Sequence, residues 1–555
     1  MADAEAAAAE AKRRRAHERK ARYEALMRPW PIKLAASKSK GRHIVAKEDL
    51  AEGSLVISET ASGFSIMKPL MDEVCLYCLG PLKALEPATD DDSAFLGPQR
   101  GQRGIVCKGC RKQSYWCSEA CQKLDESRHS RECDILKELP GITSSHSVDY
   151  GLFRLILAIL TNRSPEDDGS EGFVPEESSG AGCSGPTPFS YVRDLVSHRS
   201  SCKQSWLNAV QNAAEDLSSQ LPSDLAASAS ELVTMACQIN SNSHGLLDPV
   251  GNTNSVIGVG LFPLASMFNH SCSPNCSFVG GSHGRLVIRT LRPIARGEEL
   301  CVSYVDLFYP KDKRREKLLE TKFFFCDCSR CSPEAQEGIV DPDLYLEGVY
   351  CRDCREGIYI SDSSDDELMK CSNCGSSLER SAFNDFQAAV ERDFDAAFDF
   401  VKARHTSSAL QALQRFRKKY AGQICPQHHH YFNSLVPLMN CSMKERNFKD
   451  ASGYIQEIIR TMEGSHVMPA NWPELSDFYY HLGDVEEIRA KAIEAGLETG
   501  LETGLEGSKS ADDCYGVSLD AFRKCWDMRK VAFGAEHAKT LDAEEQVHRL
   551  KSARH

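Results

Sequence analysis

The spacing of the cysteines constrains the fold of this chain more than any other feature. The 555 residues include 24 cysteines, and the N-terminus has charges with no apolar core after them, so we expect no secretory signal. A disulfide framework is therefore not expected. Most of the cysteines fall in short pairs, a pattern typical of zinc sites. The spacing predicts a chain that folds around metal ions.

The first cysteine group runs from residue 75 to residue 133. It offers seven cysteines and one histidine, enough for two tetrahedral zinc ions. Its Cys-x3-Cys and His-x3-Cys pairs suit one turn of helix, where residues three or four apart share a face. The eight predicted ligands are Cys75, Cys78, Cys107, Cys110, Cys117, Cys121, His129 and Cys133.

The second group, "CDCSRC", supplies Cys326, Cys328 and Cys331. Three thiolates are one short of a structural zinc site, which normally closes with four ligands. Cys272 of "FNHSC" is the best donor of the fourth thiolate. The alternative is that Cys272 is only a small buried apolar residue, which is common for a free cysteine.

The third group has the spacing of a zinc ribbon, two Cys-x2-Cys pairs with 16 residues between them. It predicts a fourth zinc ion beside the three of the first two groups. The nine other cysteines share no spacing, and we expect them to pack as ordinary core residues. The predicted ribbon ligands are Cys351, Cys354, Cys371 and Cys374.

Length and charge exclude several classes of protein. The length suits roughly three or four domains. No apolar run approaches the ~18 residues of a membrane span, and the longest, at 150–160, carries Arg154 and predicts a buried helix. The net charge of −13 argues against strong direct binding to nucleic acid.

Three segments together resemble a known enzyme family. "NHSCSPN" (269–275), "GEELCVSYVD" (297–306) and "CDCSRC" (326–331) resemble the SET domain with its cysteine-rich post-SET tail. The eight ligands at 75–133 resemble the MYND zinc finger. The chain as a whole resembles the SET and MYND domain family of protein lysine methyltransferases. In that family one zinc ion would be held by Cys75, Cys78, Cys117 and Cys121, and the other by Cys107, Cys110, His129 and Cys133.

The resemblance implies an α+β fold. A SET-type β-fold is split by the MYND zinc finger and a helical insert, and is followed by a post-SET zinc site, an additional zinc ribbon and a C-terminal all-α, tetratricopeptide-like domain. The implied boundaries are an N-terminal basic helix or tail at 1–29, the SET N-terminal part at 30–74, the MYND finger at 75–133, the helical insert at 134–235 with a disordered loop at 164–188, the SET core at 236–310, the post-SET region at 311–335, the ribbon at 345–380 and the helical domain at 381–555.

The resemblance also implies the reaction. The chain would be an S-adenosyl-L-methionine-dependent lysine N-methyltransferase that acts on histone or non-histone proteins by SN2 transfer to a deprotonated amine. Only about one free lysine in a thousand is neutral near pH 7.4, so the site must favour the neutral amine. Tyr304 stands at the position of the family's catalytic tyrosine. The implied cofactor-binding residues are Lys40, Gly41, Arg42, His198, Asn240, Asn269, His270, Tyr304 and Phe324.

Two departures from the family pattern keep a second function open. Ser39 stands where the family usually has a second glycine before Lys40 and Gly41. Lys322 stands where the family often has a tyrosine that walls the lysine channel. Either Phe323 substitutes for that tyrosine, or the channel is altered. The alternative function is a catalytically weak or silent scaffold, in which the MYND finger and helical domain bind proline-rich peptides or chaperones. We expect the chain in the nucleus and cytoplasm, where Lys12 to Arg15 serve in import or form a solvated charged face.

Overall fold

A computed structural model describes most of the chain. The expected loop at 164–188 and a "GLETGLETGLEG" repeat at 496–507 lie largely outside the described residues, as does Cys183. None of the helices within the described ranges combines the length and the apolar character that crossing a membrane requires. The described residues are 10, 14, 17–82, 104–163, 185–251, 255–332, 341–362, 365–497 and 510–553.

Short strands form several small sheets. The strands are β1 (Ile32–Ser37), β2 (Gly41–Ala46), β3 (Leu55–Thr60), β4 (Gly63–Ile66), β5 (Ile105–Val106), β6 (Tyr115–Trp116), β7 (Ser243–Leu247), β8 (Val256–Leu261), β9 (Asn269–His270), β10 (Cys276–Gly281), β11 (Arg285–Thr290), β12 (Cys301–Val302), β13 (Tyr359–Ser361), β14 (Leu368–Cys371) and β15 (Ser377–Glu379). Within 285–305, where branched residues alternate with turns, β11 and β12 form as the sequence predicts.

Strand pairing joins two parts of the chain that are far apart in sequence. The antiparallel sheet β10-β11-β3 and the sheet β4-β8-β7 both combine strands from before and after the first cysteine group. The pair β9 and β12 is parallel, with Asn269 opposite Cys301 and His270 opposite Val302. These pairings bring the "NHSC" and "CVSY" segments side by side.

Helices fill the insert between the strands and the C-terminal part of the chain. The boundaries are α1 (17–26 as described), α2 (Glu119–Ser145), α3 (Tyr150–Thr161), α4 (Phe189–Arg193), α5 (Gln204–Gln220), α6 (Ala229–Asn242), α7 (Lys311–Lys322), α8 (Asp343–Leu346), α9 (Arg380–Lys402), α10 (Thr406–Tyr420), α11 (His429–Asn433), α12 (Leu435–Lys444), α13 (Phe448–Gly464), α14 (Pro473–Glu494), α15 (Ala511–Ala532) and α16 (Ala538–Ala553).

The apolar helix α3 lies at the centre of the largest hydrophobic core. Ten of its twelve residues are buried, and it packs on β4, α2 and α6. Arg154, the charged residue within this run, forms two hydrogen bonds of 2.7 Å with the buried Glu132 of α2. Burying a charge is costly unless it is paired and hydrogen-bonded, so this pair allows an arginine to lie in the core.

The C-terminal helices pack on one another in sequence order and then attach to the strands. Neighbouring pairs from α12 to α16 are in contact, and α15 also contacts β10 and β11. His537 donates from Nε2 to the Gly280 carbonyl at 2.9 Å. Arg289 donates to the Phe533 carbonyl at 3.1 Å and to the Gly53 carbonyl at 2.7 Å. The helical part therefore adjoins the sheet β10-β11-β3.

Candidate functional site

All four predicted ligand sets are assembled in space. Within each set the potential ligand atoms lie within 4.8 Å of one another. The two sets from the first cysteine group interleave along the chain. The four sets are Cys75, Cys78, Cys117 and Cys121; Cys107, Cys110, His129 and Cys133; Cys272, Cys326, Cys328 and Cys331; and Cys351, Cys354, Cys371 and Cys374.

The distances between the sulfurs fit zinc. The Cys272 sulfur lies 3.5 Å from that of Cys331 and 4.0 Å from that of Cys326, far beyond a disulfide bond of about 2.05 Å. Four sulfurs around one zinc ion, each at about 2.3 Å from it, lie roughly 3.8 Å apart. Both ring nitrogens of His129 are buried and lack a hydrogen-bond partner among the described residues, so a metal ion would satisfy one of them.

One geometric expectation for these ligands is wrong. The Cys117–Cys121 pair does not occupy one turn of helix, because Cys117 precedes α2 and only Cys121 lies within it. Ser118 caps the helix by accepting the Cys121 N–H at 3.2 Å, a common role for serine. The turn into the helix brings the two sulfurs to 3.5 Å. His129 and Cys133 do share α2, as the spacing predicts.

Two buried arginines surround the Cys272 set, and sequence reasoning missed them. Arg314 donates to the Cys272 sulfur at 3.2 Å and to the Asp343 carboxylate at 2.6 Å. Arg330 also donates to Asp343, at 2.6 Å, and to the Cys272 carbonyl at 3.1 Å. Such contacts orient metal ligands and tune their charge, because four thiolates around one divalent ion leave a net negative charge.

The strand pair β9–β12 positions Tyr304. Its backbone N–H donates to Nδ1 of His270 at 3.0 Å, and its hydroxyl donates to the Phe268 carbonyl. Burial raises the pKa of Tyr304 above its usual range, so the hydroxyl stays protonated and is a hydrogen-bond donor at neutral pH. Both anchors belong to the segment that leads into Cys272.

The turn between β1 and β2 brings Lys40, Gly41 and Arg42 to the same region. Asn269 donates from Nδ2 to the Lys40 carbonyl at 3.2 Å and to the Glu299 carboxylate at 3.1 Å. Lys40 also donates to Glu299, which raises the pKa of Lys40. Gly41 has a φ of +63°, with open space where a Cβ would project, a backbone conformation that favours glycine.

The other predicted cofactor-binding residues make separate contacts. Arg42 donates to the Asp194 carbonyl at 3.0 Å, while its buried Nη1 has no partner among the described residues. The His198 ring lies 5.2 Å from the Phe323 ring, and the Phe324 ring lies 6.2 Å from the His270 ring. Asn240 is exposed in the last turn of α6. Contacts thus join Lys40 to Asn269 and join both Tyr304 and Phe324 to His270, whose Nε2 lies 3.1 Å from the Cys272 sulfur.

Lys322 extends into this region from the end of α7. Its Nζ donates to the Ser241 carbonyl at 2.9 Å and lies 5.6 Å from the centre of the Tyr304 ring. Burial lowers the pKa of Lys322 to about 8. The lysine that departs from the family pattern is therefore a neighbour of the candidate catalytic tyrosine.

A buried carboxylate, which sequence reasoning missed, supports the segment that precedes Asn269. Glu59 of β3 accepts hydrogen bonds from the backbone N–H groups of Leu264 and Ala265 at 2.9 and 2.7 Å, and from the Thr187 hydroxyl at 2.8 Å. Burial raises the pKa of Glu59 to about 7. These bonds fix the turn that directs Phe268, Asn269 and His270 into the site.

Comparison with known proteins agrees with this geometry. The SET domain family profile matches residues 41–305. Over 315 residues the chain is 27% identical to human "Histone-lysine N-methyltransferase SMYD3", covering 56% of this chain and 64% of that protein. It is 24% identical over 466 residues to "Histone-lysine N-methyltransferase ASHR1" of Arabidopsis thaliana, covering 82% of this chain and 87% of that protein.

A third relative, like SMYD3, is matched over less than two thirds of its length. The chain is 26% identical over 326 residues to "N-lysine methyltransferase SMYD2" of Gallus gallus, covering 57% of this chain and 63% of that protein. The match thus spans less than two thirds of the length of the SMYD3 and SMYD2 proteins. The SET domain profile includes the strands from β2 to β12 and the candidate site residues from Gly41 to Tyr304.

Proposed function

We propose that this chain, which is similar to proteins of the SET and MYND domain family, transfers a methyl group from S-adenosyl-L-methionine to a lysine side chain of a protein. The observation that carries the proposal is the joint anchoring of Tyr304 by His270 and by the Phe268 carbonyl. Asn269 and Lys40 lie against the same segment. This arrangement places a protonated tyrosine hydroxyl beside the groups expected to hold the cofactor.

The residues present fit the cofactor. When bound, S-adenosyl-L-methionine supplies an activated methyl group on a sulfonium. Arg42, with its unpartnered Nη1, would pair with the carboxylate of the methionine end, beside Lys40 and Gly41. Asn269 and His270 would supply polar contacts, Phe324 would pack on the adenine, and His198 and Asn240 would complete the border.

Tyr304 would act on the acceptor amine. Its hydroxyl is held at the Phe268 carbonyl, so its oxygen has lone pairs left to orient a neutral amine. Deprotonating a free lysine near pH 7.4 costs about 4 kcal/mol, and burial favours the neutral form. Positioning the amine in line with the methyl group and the sulfur then contributes most of the acceleration.

We assign the zinc sites a structural role. The interleaved sets at 75–133 would form a MYND finger, Cys272 with the "CDCSRC" tail a post-SET site, and the set at 351–374 a ribbon. Each has four ligands, which leaves no open position for catalysis. The helices from α9 to α16 would form the tetratricopeptide-like domain. For all domains we propose the boundaries predicted from the sequence.

The partners follow from the family. The substrate would be a protein lysine, with histone tails as one candidate class, and the MYND finger and helical domain would bind proline-rich peptides or chaperones. The acidic net charge of −13 favours protein partners over nucleic acid. We propose the nucleus and cytoplasm as the compartments.

The Tyr304→Phe variant tests the reaction. We expect it to lose methyl transfer from labelled S-adenosyl-L-methionine to proteins of a cell extract, while calorimetry shows nearly unchanged binding of S-adenosylhomocysteine. Full transfer activity in this variant would refute the role of Tyr304.

A silent scaffold is the second candidate function. The Lys322 ammonium beside Tyr304 favours it, because a cation there opposes the entry of a second one. Calorimetry with S-adenosyl-L-methionine separates the two functions, since a scaffold with a decayed pocket would release no heat.

A further inference from the structure

Lys322 provides a cation where the proposed reaction requires an acceptor amine. Its Nζ is held between the Ser241 carbonyl, at 2.9 Å, and the Tyr304 ring, whose centre is 5.6 Å away. A carbonyl oxygen and an aromatic face are both favourable partners for an ammonium group. The same two partners would suit the ammonium group of an acceptor lysine.

The end of α7 fixes Lys322 in this place. Phe323 ends the helix in the left-handed region, with a φ of +61°, and packs on His198. Phe324 packs near His270. Such a conformation is uncommon for a bulky residue, and it lets three consecutive residues make three different contacts around the site.

We propose that Lys322 is a specificity-determining residue, whose ammonium occupies the cation position of the acceptor channel so that an acceptor lysine binds productively only by displacing it. The inference rests on the proposed methyltransferase function. Like charges repel strongly in a partly buried site, where screening by water is weak. An acceptor lysine therefore binds more weakly than it would beside an uncharged residue at position 322.

The displacement depends on pH, because the pKa of Lys322 is lowered to about 8. The titratable groups that face this region from other elements are Tyr304, His244 of β7 and His198. The pKa of Tyr304 is raised, and those of His244 and His198 are lowered, all by burial, so none of the three changes charge between about pH 7 and about pH 9. On α7 itself, Lys317 and Glu320 form an exposed ion pair.

The test compares Lys322→Met and Lys322→Arg with the unchanged protein, using purified core histones as the acceptor. Lys317→Met, on the exposed face of the same helix, is the matched control. Binding of S-adenosylhomocysteine is measured first by calorimetry, and KM and kcat for histones are then measured near pH 7 and near pH 9.

We expect Lys322→Met to lower the histone KM near pH 7 by about tenfold, with cofactor affinity unchanged. The KM of the unchanged protein should fall toward that of Lys322→Met near pH 9. The KM of Lys322→Arg should stay high at both pH values, because arginine keeps its charge. Lys317→Met should behave like the unchanged protein.

Several results would overturn the inference. One is an unchanged or higher KM in Lys322→Met with cofactor binding intact. A second such result is that no variant methylates histones although all of them bind S-adenosylhomocysteine. In that case removing the ammonium group in Lys322→Met would not have allowed an acceptor lysine to bind. Failure of the unchanged protein to bind S-adenosylhomocysteine would refute the proposed function itself, and the inference with it.

Discussion

The backbone N–H of Tyr304 donates a hydrogen bond of 3.0 Å to Nδ1 of His270, across 34 residues of sequence. Because Nδ1 accepts this bond, a neutral His270 carries its proton on Nε2, which lies 3.1 Å from the Cys272 sulfur. The candidate catalytic tyrosine is thereby linked through one imidazole ring to a predicted zinc ligand. We therefore expect the position of Tyr304 to be coupled to the binding of a metal ion by the Cys272 set.

Replacing His270 by alanine should misplace Tyr304. The variant loses the acceptor that holds the Tyr304 backbone, and a displacement of about 1 Å lowers the rate roughly a hundredfold. We expect kcat for protein methylation to fall by that order. His405→Gln, at an exposed histidine of the helical part, is the control and should keep full activity. Normal kcat in His270→Ala would argue against the coupling.

Replacing Cys272 by serine should remove one zinc ion. Elemental analysis should show three zinc ions per chain in place of four, because a hydroxyl is a poor replacement for a thiolate ligand. The free energy of unfolding should also fall, since metal binding contributes to folding. Cys301→Ser, at a half-buried cysteine outside the four sets, should keep four ions. Equal zinc content in both variants would contradict the assignment of Cys272.

Replacing Arg154 by methionine should destabilise the core. Glu132 would lose two of its buried hydrogen bonds and keep its bond to Arg128. Breaking a buried ion pair in this way costs about 3–5 kcal/mol, measurable by denaturant unfolding. The double variant Arg154→Met with Glu132→Gln should recover part of the loss. Lys137→Met, which breaks an ion pair at the surface of α2, the helix that carries Glu132, should change the free energy of unfolding far less.

Acid should destabilise the helical part through its buried histidines. His428, His429 and His430 lie together, and burial lowers the pKa of His429 to about 4 and that of His430 to about 3. The unfolded chain binds these protons near pH 6.5 and the folded chain only near pH 4 and below. Stability from their neutral forms is therefore complete above about pH 6.5 and is lost as the pH falls toward 4.

The size of this effect is measurable at one site. For His429, which is 9% exposed, the shift from 6.5 to about 4 corresponds to about 3 kcal/mol. Unfolding measured at pH 7 and pH 4.5 should show a smaller loss in His429→Gln than in the unchanged protein. His405→Gln should show the full loss. An identical pH dependence in the two variants would rule out His429 as a source of the acid sensitivity.

The cysteine spacing indicated the ligand sets because short pairs place two thiolates at one metal whatever surrounds them. Cys272 was the expected fourth ligand because three downstream thiolates lacked a partner, and its sulfur does lie beside theirs. The resemblance to the SET and MYND domain family is confirmed by the comparisons, and the mixed helix and sheet fold agrees with it. The helical geometry expected for Cys117 and Cys121 was wrong, because the Ser118 cap starts the helix between them.

The sequence did not predict the buried charged residues that support the site, which are Glu59, Arg314, Arg330 and Asp343. Each is a common polar residue in an ordinary context, and its role depends on partners far along the chain, such as Leu264 for Glu59 and Cys272 for Arg314. The position of the Lys322 ammonium beside Tyr304 could not be predicted from the sequence either. It depends on how α7 ends and on where the last carbonyl groups of α6 lie.

The sequence by itself determined the four groups of metal-ligating residues and the resemblance to the SET and MYND domain family, because both depend on residue types at short, fixed spacings. Only the tertiary structure decided which buried charges support the site and that a lysine stands beside the candidate catalytic tyrosine. The physical reason is separation along the sequence. A pair of metal-ligating cysteines forms within a few residues, whereas paired buried charges and an acceptor channel require distant segments that strand pairing and helix packing bring together.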